Sequence, residues 1–376
     1  LPIQLPIAST PTSIELNSCP TLVAGAPTSD KSATEPKSIT SVPQWLKYLL
    51  LAFFCLGQFL DTFNNSAVLP ALPIITRSID LTESDAVWLL AAYQATFASF
   101  LLISGRVSDV YSPKPVFIVG TIFFGTISLG AGFVNGRIVL IVLRALQGIG
   151  ASLTIPSALG MLVQIFPEPT EQARAISMFA ASAAIGNILG TIIGALFVQY
   201  ASWRWVFWII AVVALPIAIA CIFLIPTTPR RDDTKASQLD FVGVSTLTAA
   251  IILFVYALTT GSVSPWASAG VLVPLFISVA LVAAFFVWEA RVDEKNAALP
   301  PKLWFYPNFV VLFAVALVPY FWWIQVYLTF VPYWQEVLHW SSIMTGVKLC
   351  VLSPIHDTGI WANMILLACP LPLQVV

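Results

Sequence analysis

Charge is what this sequence has least of: 9% of its residues are Asp, Glu, Lys or Arg, about a third of the share usual in soluble domains. The net charge of −1 leaves no basic surplus, and no cluster of Lys and Arg stands ready for a phosphate backbone, so nucleic acid is excluded as a partner. Histidine is nearly absent, with His339 and His356 alone, and the five cysteines (Cys19, Cys55, Cys221, Cys350, Cys369) are scattered without a CxxC or other metal-ligand spacing. They read as small apolar residues, and no metal or cofactor is expected. No nucleophile elbow and no convergent set of acid, base and nucleophile appears, which argues against an enzyme.

What is abundant is apolar sequence. Hydrophobic residues make up 58% of the chain and the mean hydropathy is +0.89. Runs long enough to cross a hydrocarbon layer of ~30 Å fall at 46–72, 87–104, 115–134, 138–163, 174–200, 205–226, 240–260, 269–288 and 308–331. A tenth in 342–376 is interrupted by Pro354, His356 and Asp357. Lipid offers the backbone no hydrogen-bond partner, so these runs are expected to be helices. The fold class is therefore an all-α, multi-pass integral membrane protein with about nine to ten spans.

Residues 1–42 are rich in Ser, Thr and Pro and too polar to pack, which predicts a disordered tail. No basic segment followed by a short apolar stretch marks a signal peptide. The chain starts at Leu1 and not at methionine, so residues upstream are expected. With the tail placed inside, twelve Lys and Arg fall in inner segments and three (Arg77, Arg137, Arg204) in outer loops, which predicts a cytosolic N-terminus. The polar stretch 229–239 is then a cytosolic central loop between a six-helix bundle (43–228) and a partial C-terminal helical region (240–376).

Three stretches interrupt the apolar background with polar groups. "GRVSDVYSPKP" at 105–115 is read as the loop between the second and third helices, with Gly105 ending one helix and Lys114 lying before the next. A small residue there permits close helix approach, and Asp109 near a helix end can accept from backbone N–H groups or pair with arginine. "LRALQGIGAS" places Arg144, Gln147 and Gly148 at i, i+3 and i+4, on one helix face. An arginine in a span is estimated to cost from ~2.5 to ~17 kcal/mol against lipid, so it should face the bundle interior. Gly186, Gly190 and Gly194 recur every four residues and form a small-residue stripe for close packing.

Asp61 is the acid deep in a span of the first half. It lies ~22 Å of helix rise from Leu46, and Arg144 lies ~10 Å from the outer end of its helix, so both are expected at similar depth, lining one polar cavity. Further on, "PYFWWIQVYLTFVPYWQEVLHW" concentrates aromatic residues. Tyr333, Trp334 and Trp340 suit an interfacial belt, and Trp322 and Trp323 with Gln325 suit either packing or stacking on a planar or cationic substrate.

These motifs together resemble the major facilitator superfamily. Gly105, Val107, Asp109 and Lys114 match its G-x-L-x-D-x-x-G-R-K loop, with Ser112 where glycine is usual and Pro113 where arginine is usual. Arg144, Gln147, Gly148 and Gly150 match R-x-x-Q-G-x-G, and "AAIGNILGTIIG" is similar to the antiporter motif with Asn187 in place of its proline. Leu60, Asp61, Leu69 and Pro70 fit the first-helix pattern of the fourteen-helix drug:proton antiporters, and "SWRWVF" looks like fungal members of that group.

The resemblance implies a major facilitator-type bundle with a complete first half and an incomplete second half, apparently truncated. It implies proton-coupled efflux of small organic compounds by a monomer in the plasma or vacuolar membrane, with Asp61, Arg144 and Gln147 coupling protons and Gly105, Asp109 and Lys114 forming a conformational latch. The alternatives are a facilitator or symporter of a small solute such as ammonium or borate, and a truncated chain that transports nothing.

Overall fold

In the computed structural model, residues 43–226, 240–292 and 333–340 are described, together with scattered positions between 309 and 330 and position 344. Among the described residues, eight helices are long and apolar enough to span a bilayer: α1 (Gln44–Ser78), α2 (Glu83–Tyr111), α3 (Pro113–Ala131), α4 (Arg137–Ile165), α5 (Pro169–Tyr200), α6 (Trp205–Leu224), α7 (Phe241–Gly261) and α8 (Ala269–Glu289). Among the described residues there is no strand, as expected where lipid cannot satisfy an open sheet edge. The expected tail 1–42, the central loop 229–239, Trp322 and Trp323 lie outside the described residues, and so do most of the ninth span and of the tenth.

Several helices exceed their expected spans because nothing in the polar flanks stops them. α1 has 35 residues, or ~52 Å of rise, well beyond a ~30 Å core. It continues through Pro70 and Pro73, a freedom that neighbouring helices allow in membranes. α2 starts at Glu83, where the Thr82 hydroxyl accepts from the Asp85 N–H and the Asp85 carboxylate accepts from the Thr82 N–H. Arg137, at the start of α4, reaches the same carboxylate at 3.3 Å.

The motif at 105–115 is not a loop. Gly105 to Tyr111 are helical, and Gly105 does not end α2. Val, Ser, Asp and Tyr do not break a helix, so α2 runs on until Pro113, which has no N–H to give and which disfavours helix in the residue before it. The whole turn is therefore Ser112, whose backbone takes φ 78° and ψ 143°, and Pro113 opens α3.

Helices 1 to 6 pack in pairs that obey an internal rule. α1 lies along α5 and α2 along α4; α3 packs on α4 and α6, and α1 packs on α6. Exchanging α1 with α4, α2 with α5 and α3 with α6 turns α1–α5 into α2–α4 and α3–α4 into α1–α6 and leaves α3–α6 unchanged, the pattern of two three-helix repeats. Small residues set the closest approaches. A Cβ on Gly194 would sit 2.5 Å from the Ala67 carbonyl oxygen, and one on Gly190 would sit 2.9 Å from that of Phe63, so α5 rests directly on the α1 backbone.

α7 and α8 form a hairpin. Asp240 closes it, its Oδ1 accepting from the Gly243 N–H at 2.9 Å and from Trp288 Nε1 at 2.8 Å. The hairpin docks on α2, where the Thr248 hydroxyl donates to the Ser99 carbonyl at 3.0 Å.

Candidate functional site

Four helices bring a polar cluster into the centre of the six-helix bundle. α1 contributes Asp61 and Asn64, one turn apart on one face; α2 contributes Tyr93 and the Leu89 carbonyl; α3 contributes Ser128; α4 contributes Arg144 and Gln147. In otherwise apolar helices each of these groups must find a partner, because an unpaired polar group in lipid is costly.

Arg144 is fully buried, at 0% exposure. Its Nε donates to the Leu89 carbonyl at 3.2 Å, and its Nη1 donates to Asn64 Oδ1 at 3.0 Å and to Gln147 Oε1 at 3.2 Å. Gln147 Nε2 in turn donates to Ser128 Oγ at 2.8 Å, and that hydroxyl donates to the Phe124 carbonyl at 2.7 Å. The chain of donors thus runs from α4 to the other three helices. Arg144 Nη2 and Asn64 Nδ2 are buried without a hydrogen-bond partner.

Asp61 does not pair with Arg144. The Tyr93 hydroxyl donates to Asp61 Oδ1, and the face of the same ring carries the Arg144 guanidinium, with Cζ 4.6 Å from the ring centroid. One aromatic side chain therefore lies between acid and base and touches both. Asp61 is 8% exposed, and these groups pack closely against one another.

The other expected site residues are distributed elsewhere. Gly148 faces α2, where a Cβ would lie 3.0 Å from the Phe97 nitrogen; Gly186 faces α1, with Phe59 O 2.5 Å from the position of a Cβ. Lys114 Nζ donates at 2.5 Å to the carbonyl of Ile225, just past the end of α6, and so satisfies one of the helix's last acceptors. Asp109 is exposed and does not pair with Lys114, and Gly105 approaches the ring of Pro156, its Cβ position 3.8 Å from Pro156 Cβ. Gln325 is exposed and donates to Thr329 Oγ1 at 3.3 Å. Among the described residues no group of three or more His, Cys, Asp or Glu gathers to hold a metal.

Tyr93, Asn64 and Ser128 were missed by sequence reasoning. A signal existed for Tyr93: a phenol in the middle of "LLAAYQATFASF" has to place its hydroxyl on something polar inside the bundle. Asn64 was legible as the i+3 neighbour of Asp61. Asn187, which stands where the antiporter motif has proline, bonds to the Ser66 hydroxyl of α1, and nothing in the sequence pairs those two positions.

An all-α bundle of membrane-length helices with charged and polar groups sealed in its centre defines a multi-pass integral membrane protein. Residues 54–355 match the family described as Major Facilitator Superfamily, and the chain belongs to it. A relative described as the major facilitator superfamily multidrug transporter mfsC of Aspergillus fumigatus is 33% identical over 68% of this chain and 48% of its own length. The puromycin resistance protein pur8 of Streptomyces alboniger is 30% identical over 79% of this chain and 58% of its own. A low affinity ammonium transporter of Saccharomyces cerevisiae is 30% identical over 65% of this chain and 48% of its own. The chain thus spans about half to three-fifths of the length of these relatives.

Proposed function

We propose that this chain is a secondary transporter that exports small organic molecules in exchange for protons, with Asp61 as the group that takes up and releases the proton. The observation that carries the reading is the sealed cluster of Asp61, Tyr93 and Arg144 where α1, α2 and α4 meet. An ionisable pair inside a bilayer is expensive to keep, and such groups mark ion and substrate pathways. Multidrug and antibiotic resistance proteins among the relatives support an organic substrate. Arg144 fixes a positive charge near the carboxylate, Gln147 orients Arg144, and the helix ends carrying Asp109 and Lys114 act as the conformational latch. The N-terminus is placed in the cytosol, and the plasma or vacuolar membrane is the proposed location.

Proteoliposomes holding the 376-residue chain test this. Puromycin should accumulate against its gradient when only a proton gradient is supplied. Asp61→Asn should abolish that accumulation and leave downhill exchange. An Asp61→Asn chain that still concentrates puromycin means that the proton is carried elsewhere, and an unaltered chain that moves nothing means that it does not transport. A second reading, transport of a small cation, is favoured by the yeast ammonium transporter among the relatives. Flux of labelled methylammonium without flux of puromycin selects it.

A further inference from the structure

We infer that Tyr93 is a positioning residue for proton exchange: it donates to Asp61 with its hydroxyl and holds Arg144 on its ring face, so that acid and base act on each other without collapsing into an ion pair. The inference rests on the reading of Asp61 as the proton carrier. Its basis is the geometry of one side chain. Tyr93 is 2% exposed, its hydroxyl is on Asp61 Oδ1, and the Arg144 guanidinium lies over its ring.

The ring has a neighbour on each of two sides, and its backbone is packed as well. Phe97, one turn on, stacks against it with planes 7° apart and centroids 6.2 Å apart. Arg144 presses on it from α4, and the Tyr93 backbone is in contact range of Gly148, where a side chain would not fit. A phenol with so little freedom is a rigid spacer.

The chemistry explains why a spacer is useful. Opposite charges in direct contact inside a low-dielectric bundle attract strongly, and a carboxylate locked onto a guanidinium is poorly placed to accept a proton. Among the described residues, Arg144 of α4 and Tyr93 of α2 are the titratable groups that act on Asp61. Tyr93 keeps the cation at the distance of a ring and supplies a donor that serves both forms of the acid. It can bond to the carboxylate, and it can bond to the carbonyl oxygen of the protonated carboxyl. Neither form has to break the contact between helices α1 and α2, so loading and unloading the proton leaves the bundle packed.

Infrared difference spectroscopy of the chain in lipid, recorded over a pH series, reads this without needing transport. A carboxyl C=O stretch that appears on acidification and is missing from Asp61→Asn belongs to Asp61. Tyr93→Phe keeps the ring, its stack on Phe97 and its contact with Arg144, and removes only the donor. The expected result is a C=O stretch displaced to higher frequency and a titration midpoint displaced by about one pH unit or more, the size of one hydrogen bond to a charged group.

A thermal melt matching that of the unaltered chain establishes that the variant is folded. A second measurement uses the unaltered chain with ring-labelled tyrosine. One phenol C–O stretch should change in step with the Asp61 band and be lost in Asp61→Asn. An Asp61 band with unchanged frequency and midpoint in Tyr93→Phe, or no phenol band in step with it, overturns the role of Tyr93 and leaves Asp61 as proton carrier intact. Absence of any titrating Asp61 band overturns both.

Discussion

Ser112 offers a way to measure how tightly the junction of α2 and α3 is drawn. It is the single residue between Tyr111 and Pro113, and its φ of 78° with ψ of 143° lies close to a region populated almost only by glycine. Holding a residue with a side chain there costs about 1–3 kcal/mol. Its hydroxyl offsets nothing by capping, since the side chain makes no cap hydrogen bond at the start of α3. Ser112→Gly removes the strain and returns about 0.4–1 kcal/mol of backbone freedom to the unfolded chain, so the net gain should be roughly 1 kcal/mol. The assay is equilibrium unfolding in dodecyl maltoside micelles with rising dodecyl sulfate, followed by circular dichroism, with Ser112→Ala alongside. Alanine keeps the Cβ and therefore the strain, so only the glycine variant should move its midpoint upward. Equal behaviour of the two variants, or no gain with glycine, refutes the reasoning.

The glycine contacts give a pair of opposite outcomes in the same unfolding assay. Gly194→Ala should destabilise by about 1–3 kcal/mol, because its Cβ meets the Ala67 carbonyl oxygen at 2.5 Å and outweighs the helix-propensity gain of about 1 kcal/mol. Gly130→Ala, which meets nothing within 4 Å, should stabilise by up to about 1 kcal/mol, and a loss there would show that propensity is not the operating effect. For the proposed latch, Asp109→Asn should slow turnover and leave substrate affinity within a few fold; a large loss of affinity at unchanged turnover contradicts it. The proposed topology puts the α7–α8 turn outside, so Ser264→Cys should react with an impermeant maleimide on intact cells, and protection there with labelling of residues 1–42 inverts the orientation.

The sequence by itself determined the class and the element type, because membrane crossing imposes a length and an apolarity that are read without any tertiary information. It also marked Asp61 and Arg144, since an ionisable residue in an apolar run stands out whatever the fold, and it marked the glycine stripe of α5 by its period of four. Helix ends were less legible. Apolarity reports where lipid is, not where hydrogen bonding stops, so α2 was expected to end at 104 and runs to Tyr111. Only the tertiary structure decided that Tyr93 stands between Asp61 and Arg144, that Gln147 is tied to Ser128, that Asn187 bonds to Ser66, and that Lys114 closes the end of α6. Each of those contacts joins residues from different helices. The pitch of a single helix says which face a residue occupies, but the neighbour across that face is set by how the whole bundle packs, and a local pattern carries no record of it.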